Sequence, residues 1–114
     1  GCFPDARNPR VIWVGMMGDL AQLHDMHAAV ERGAARLGYE PEKRKFSPHL
    51  TLGRVRRSVI LHEATSVGEC VRTATAAHMC KWPVEEVTLL KSDLRPRGAV
   101  YYALGRYPLT GTGS

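Results

Sequence analysis

Apolar and polar positions follow two different periods in the first third of the chain. A β-branched and aromatic run, Val11 to Gly15, follows the turn dipeptide Asn8-Pro9 and predicts a strand with both faces buried. From Leu20 to Leu37, apolar residues recur at helical spacing, with Asp19 as the N-cap and Gly38 as the stop. The pattern therefore begins with a strand that is followed by an amphipathic helix.

The rest of the pattern predicts three more strands and one more helix. The strands are expected at His49 to Val55, Val84 to Ser92 and Ala99 to Tyr107, and the second helix within Val59 to Met79. We expect these strands to form antiparallel sheet with the helices on its outer face, which makes the fold class α+β. Because no repeat, low-complexity tract or linker is evident, residues 1–114 are expected to form a single domain.

The third predicted strand carries residues with catalytic chemistry. In a strand, His49 and Thr51 share one face, while Leu50 and Leu52 share the other. A histidine exchanges protons near neutral pH, and a threonine hydroxyl about 6.6 Å further along the strand can donate a hydrogen bond to a phosphoryl oxygen. His49 and Thr51 together are typical of half of an acid–base site for a phosphate.

Three arginines follow this pair. Arg54, Arg56 and Arg57 would add fixed positive charge where a phosphate binds. Regular alternation places Arg54 on the face opposite to His49, so it joins the site only if the strand bulges or twists at its end. The alternative is a solvated strand end without a ligand, and the sequence leaves both interpretations open.

The stretch from Arg44 to Arg54, RKFSPHLTLGR, resembles the R-x-F-x-P-H-h-T-L-x-R pattern of a known family. That family is the two-histidine (2H) phosphoesterases of the bacterial 2'-5' RNA ligase and RNA 2',3'-cyclic phosphodiesterase type, and the pattern surrounds its second His-x-Thr motif. Pro9 to Gly15, Val87 to Leu94 and Gly98 to Tyr102 also resemble strands of this family. The similarity extends from about Cys2 to Leu109 and implies the C-terminal part of a two-lobed fold, so we expect the segment with the first motif to be missing here.

The resemblance also implies a reaction. It is the hydrolysis of a 2',3'-cyclic phosphate to a 2'-phosphate, or a 2'-5' RNA ligase-like reaction, without a metal or another cofactor. One histidine activates water and the other protonates the departing ribose oxygen. His49 would be one member of this acid–base pair, and Thr51 would hold a non-bridging oxygen of the phosphate. The expected partner is RNA or a nucleotide with a cyclic phosphate or a 2'-5' linkage.

Three residues are predicted to bind the substrate, namely Arg54, Phe46 and Tyr102. Arg54 belongs to the family pattern. Phe46 lines a base pocket in one interpretation and packs beneath the strand in the other. Tyr102, like Tyr101 and Tyr107, can stack on a base, although alternation favours an ordinary strand role for all three tyrosines.

A second His-x-Thr motif is not found in the sequence, because His24, His27, His62 and His78 are followed two positions later by other residue types. The i, i+3 spacing of His24 and His27 has no accompanying ligand set for a metal. Loss of a positioned general acid or base costs about 100-fold to 10,000-fold in rate, so a lone half-site is expected to be feeble.

Two explanations of the single motif remain open. Two copies of the chain can form a domain-exchanged homodimer that presents two His49–Thr51 pairs to one cleft. Alternatively, the chain is a fragment of the enzyme. The corresponding alternative function is a catalytically incomplete module that binds RNA or phosphate.

Composition and charge narrow the class of protein. Sixteen Lys and Arg against eleven Asp and Glu give a net charge of +5, which favours a polyanionic partner. No apolar run approaches the roughly 20 residues of a membrane helix. Three cysteines without CxxC spacing indicate neither a disulfide framework nor a zinc site, and the chain starts without a secretory signal. We therefore expect a cytoplasmic protein with free thiols.

Overall fold

In a computed structural model, which describes residues 1–76 and 80–110, the chain divides into two units. They are Gly1–Ala76 and Ala77–Ser114. The predicted α+β class with antiparallel strands is confirmed. That residues 1–114 form one domain stays a prediction. Neither helix in the described ranges is both long enough and apolar enough to cross a membrane.

The first unit contains a three-stranded antiparallel sheet in the order β1-β2-β3. The strands are β1 (Cys2–Phe3), β2 (Val11–Gly15) and β3 (His49–Arg54). The β2 prediction is confirmed, and β3 ends one residue earlier than predicted. Sequence patterns did not reveal β1, because two residues are too few to show alternation.

Helix α1 spans Leu20–Arg36 and ends within one residue of its predicted bounds. Its N-cap is Asp19, whose carboxylate accepts a hydrogen bond from the backbone amide of Gln22 at 3.2 Å. At the other end, Gly38 has φ +93°. The amides of Gly38 and Tyr39 donate to carbonyls in the last turn of the helix, so both predicted helix signals act as capping interactions.

Helix α2 spans Leu61–Thr73, inside the predicted window, and packs against the loop between β1 and β2. Ala64 and Gly68 are its buried residues. A Cβ built on Gly68 would overlap the carbonyl oxygen of Ala6, so the backbone of the loop lies directly on the helix. The hydroxyl of Thr65 donates to the carbonyl of Arg7 at 3.2 Å. The absence of a side chain at position 68 is therefore what permits this contact.

The second unit is an antiparallel hairpin of β4 (Glu86–Arg95) and β5 (Gly98–Pro108). Strand β4 begins two residues later and ends three residues later than predicted, whereas β5 exceeds its prediction by one residue at each end. A turn over Pro96 and Arg97 joins the strands, and Gly98 after it has φ +125°.

The large apolar side chains of the hairpin remain exposed. Their exposed fractions run from 45% for Tyr102 to 83% for Leu94, with Leu89, Leu90, Tyr101, Leu104 and Tyr107 between these values. An isolated two-stranded hairpin is at best marginally stable in water. Because neighbouring residues of a strand alternate between its faces, these side chains lie on both faces of the hairpin, and burial of either face would add stability.

Candidate active site

Strands β2 and β3 present the predicted catalytic pair on one face of the sheet. Gly15 pairs with His49, and Trp13 pairs with Thr51. Directly paired residues lie on the same face, and residues two apart along a strand do so as well. We call the face that carries His49 and Thr51 the motif face.

A β-bulge brings Arg54 to the motif face. The register shifts between Ile12 and Trp13, so that Ile12 pairs with Gly53 and Val11 pairs with Arg54. Leu52 is the extra residue without a cross-strand partner. Because Val11 and Trp13 share a face, Arg54 lies on the motif face despite its even-numbered position. The sequence alone did not decide whether the strand bulges here, and the structure shows that it does.

The ring of His49 is fixed by a backbone carbonyl. Its Nδ1 lies 2.6 Å from the carbonyl oxygen of Ser47. A carbonyl oxygen only accepts hydrogen bonds, so Nδ1 must carry the hydrogen. In the neutral ring, Nε2 then holds the free lone pair and can take a proton, and the protonated ring can return it. Nε2 is therefore the nitrogen of His49 that is free to exchange a proton.

We expect this tautomer to be measurable. Long-range ¹H–¹⁵N correlation spectra should show Nδ1 of neutral His49 as the protonated nitrogen and Nε2 as the unprotonated one. The exposed His62 is the internal control, because its ring makes no hydrogen bond to another described residue and should populate both tautomers. A neutral His49 ring that carries its hydrogen on Nε2 would contradict the assignment.

Two aromatic rings on the motif face contact the half-buried His49. The Phe3 and His49 ring centroids are 5.0 Å apart in an edge-to-face arrangement, and Phe3 stacks on Trp13 at 5.1 Å. The Trp13 ring is tilted to that of His49 at 6.2 Å. Sequence reasoning missed both neighbours, because it read Trp13 only as a strand residue and did not recognise β1 as a strand.

The motif face is open at Thr51, whereas the ring of Trp13 borders it beside His49. A Cβ built on Gly15, the cross-strand partner of His49, would lie 3.4 Å from that ring. Thr51 is exposed, and its hydroxyl makes no hydrogen bond to any residue in the described ranges. An imidazole nitrogen and a free hydroxyl, on residues about 6.6 Å apart along the strand backbone, are thus available to one phosphate group.

The arginines near the motif differ in their pairing. Arg44 lies 3.3 Å from the carboxylate of Glu42, and their hydrogen bond lowers the pKa of the Glu42 carboxyl and raises the pKa of the Arg44 guanidinium. Arg54, Arg56 and Arg57 are exposed, and none lies within 4.0 Å of a carboxylate in the described part of the chain. Their charges are therefore available to an anion.

Phe46 packs against α1. Its ring stacks on His27, with centroids 3.9 Å apart and planes 5° from parallel, and meets His24 edge-to-face at 5.2 Å. One face of the Phe46 ring is thus covered by an imidazole. This contact favours the packing interpretation, and a role of Phe46 in a base pocket stays a prediction.

Tyr102 belongs to the hairpin of the second unit. Its hydroxyl accepts a hydrogen bond from Arg95 at 2.9 Å, and 45% of the residue is exposed. The contact with Arg95 orients the ring within the hairpin. A role for Tyr102 in binding a base stays a prediction.

Three of the four other histidines lie on helices. His24 and His27 contact Phe46, and His62 lies in the first turn of α2. His78 lies outside the described residues. Within the ranges 1–76 and 80–110, no three His, Cys, Asp or Glu side chains come together in a metal-binding arrangement.

Comparison with known proteins gives consistent matches. The family model of LigT-like phosphoesterases matches residues 14–101. An RNA 2',3'-cyclic phosphodiesterase of Aeropyrum pernix is 31% identical over 104 residues, which are 91% of this chain and 57% of the relative. The protein of the same name from Archaeoglobus fulgidus is 32% identical over 103 residues, 89% of this chain and 53% of the relative. That from Aquifex aeolicus is 28% identical over 112 residues, 97% of this chain and 57% of the relative. The chain spans about half the length of these curated relatives.

Proposed function

This chain belongs to the LigT-like phosphoesterase family, and we propose that it supplies one half of the active site of an RNA 2',3'-cyclic phosphodiesterase. The main support is the motif face. There, the Ser47 carbonyl holds His49 in the tautomer that leaves Nε2 reactive, and Thr51 presents a free hydroxyl. The names of the similar proteins support the same substrate class.

The proposed chemistry is an in-line displacement at the cyclic phosphorus. Water attacks phosphorus, the bond to the ribose O3' breaks, and the product is a 2'-phosphate with a free 3'-hydroxyl. One histidine accepts the proton of the water and a second donates a proton to O3'. His49 Nε2 can fill either role. The Thr51 hydroxyl donates to a non-bridging oxygen and stabilises its growing negative charge.

The same geometry accommodates a ligase-like reaction. If the 5'-hydroxyl of a second RNA replaces water as the nucleophile, the displacement of O3' produces a 2'-5' linkage. The proton transfers are otherwise unchanged, so the choice between hydrolysis and ligation lies with the nucleophile. The motif face itself favours neither reaction.

The second acid–base group must come from outside the motif face. We propose a homodimer in which a second copy supplies another His49–Thr51 pair. Its support is the exposed apolar surface of the β4–β5 hairpin together with the half-length match to the relatives. The remainder of a longer protein could fill the same place. The location that we propose is cytoplasmic, which suits the free Cys2, Cys70 and Cys80.

The test is hydrolysis of a 2',3'-cyclic mononucleotide in the presence of EDTA over a range of protein concentrations. We expect the 2'-phosphate as the product and an activity per chain that rises with concentration as the site is completed between copies. Chromatography against both phosphate isomers identifies the product. A 3'-phosphate product would contradict the displacement of O3'. Absence of turnover at every concentration, with RNA still bound, would favour the alternative of an incomplete binding module.

A further inference from the structure

Four arginines line one open groove at the end of β3. The groove has a volume of about 760 Å³, and its lining contains no carboxylate. The arginines come from the residue before β2, the last residue of β3 and the loop that follows. The lining residues are Arg10, Val11, Arg54, Val55, Arg56 and Arg57. We call this feature the arginine groove.

The arginine groove carries charge that the described residues do not neutralise. Several arginines elsewhere have a carboxylate within 4.0 Å, namely Arg44, Arg72, Arg95 and Arg106. The four arginines of the groove have none in the described part of the chain. Guanidinium groups remain charged at any physiological pH, and like charges repel one another. An anion in the groove would relieve this repulsion.

Backbone contacts hold the groove in shape. The guanidinium of Arg10 donates to the carbonyl of Arg56 at 3.4 Å, and the amide of Val59 donates to the same carbonyl at 3.1 Å. The amide of Val55 donates to the carbonyl of Arg10 at 2.9 Å and continues the β2–β3 ladder. The loop backbone is thus anchored, while the side chains of Arg56 and Arg57 make no hydrogen bond to another described residue.

The position of the groove indicates what kind of anion fits. Arg54 lies on the motif face, five residues along β3 from His49, which is about 16 Å in a strand. One nucleotide at His49 is too short to reach that far, whereas an RNA chain is long enough. Because a 2',3'-cyclic phosphate closes the 3' end of an RNA, the rest of the chain is 5' to it.

We propose that the arginine groove binds backbone phosphates of single-stranded RNA on the 5' side of its terminal phosphate. The direction of the RNA rests on the proposed function, since that places the terminus at His49. Guanidinium groups match phosphate geometry with paired hydrogen bonds, and positively charged grooves that follow the backbone are the usual way to hold single strands without reading sequence. An oligoribonucleotide is therefore the preferred ligand over a mononucleotide.

The test measures binding alone, so it does not depend on turnover. The probe is a fluorescein-labelled oligouridylate of about ten nucleotides with a 3'-hydroxyl, a length within ordinary single-strand site sizes. Fluorescence anisotropy gives its Kd for the 114-residue chain and for the double variant Arg56→Gln with Arg57→Gln. We expect the Kd of the double variant to be roughly 10-fold to 30-fold higher than that of the wild-type chain at about 0.1 M salt. The slope of log K against log salt should be shallower by about 1.4, because two phosphate contacts are lost.

The control removes the same charge elsewhere in the first unit. Arg32→Gln with Arg36→Gln changes two exposed arginines of α1 that do not line the groove. It should keep the wild-type Kd within about twofold, and thermal melting should show that both double variants are folded. Equal losses in the two double variants, or no loss in either, would overturn the proposal. The hydrolysis assay with a mononucleotide tests the proposed function independently of this result.

Discussion

Replacing His49 with glutamine should lower the hydrolysis of a 2',3'-cyclic mononucleotide by at least about 100-fold to 10,000-fold, the usual cost of one positioned acid or base, because the proposed homodimer loses both. Glutamine approximates the length of histidine, and its side-chain amide can still donate to the Ser47 carbonyl. It cannot exchange a proton near neutral pH. The loss should therefore appear in kcat, with a smaller effect on KM, because the missing step is proton transfer.

A pH profile of the activity distinguishes the loss of an acid–base group from a general structural defect of the variant. The wild type should show two limbs in kcat/KM, one for each acid–base group. In the proposed homodimer both groups are His49 side chains, so the residual activity of the His49→Gln variant should lose both limbs. His62→Gln is the matched control, since His62 is exposed on α2 and lies away from the motif. Turnover by His49→Gln within a few-fold of wild type would mean that His49 is not the acid–base group.

The second large effect concerns stability. Gly68→Ala should lower the free energy of unfolding of the first unit by about 2–3 kcal/mol, because the added methyl would overlap the carbonyl oxygen of Ala6. Backbone atoms cannot move aside as cheaply as the end of a side chain, so α2 and the loop must separate. The shift of the urea midpoint, followed by circular dichroism, measures the loss.

Gly33→Ala is the control for helix propensity. Gly33 lies on α1, and a Cβ built there meets nothing within 4 Å. The substitution should raise the free energy of unfolding by about 0.5–1 kcal/mol, since glycine is disfavoured in helix interiors. We therefore expect Gly68→Ala to lower the free energy of unfolding and Gly33→Ala to raise it. A stabilising effect at both positions would show that the contact between Gly68 and Ala6 does not constrain the fold.

Local sequence signals were sufficient to predict much of this fold. Strand β2 and the start of α1 follow directly from a β-branched run and from the capping residue Asp19. The helix also ends where Gly38 predicts, because a glycine accepts the positive φ that the capping turn requires. These elements depend on residues close in sequence, which is why patterns along the chain predict them.

Features that depend on distant residues were not predictable in the same way. Phe3 contacts His49 only because β1 pairs with β2, and two residues carry no alternation signal. The stacking of His27 on Phe46 joins a helix to the segment before β3 across nineteen residues of sequence. The resemblance located His49 and Thr51, but it did not identify the Ser47 carbonyl that selects the tautomer.

The bulge at Leu52 also bears on the spacing within the motif itself. Thr51 and Arg54 are separated by three positions, an odd interval that a regular strand cannot use to direct two side chains to one side. The unpaired Leu52 absorbs the extra position, so both side chains still face the same way. The spacing H-x-T-x-x-R thus specifies a backbone shape as well as a set of functional groups. A strand that placed its arginine two positions after the threonine would reach the same side without any bulge.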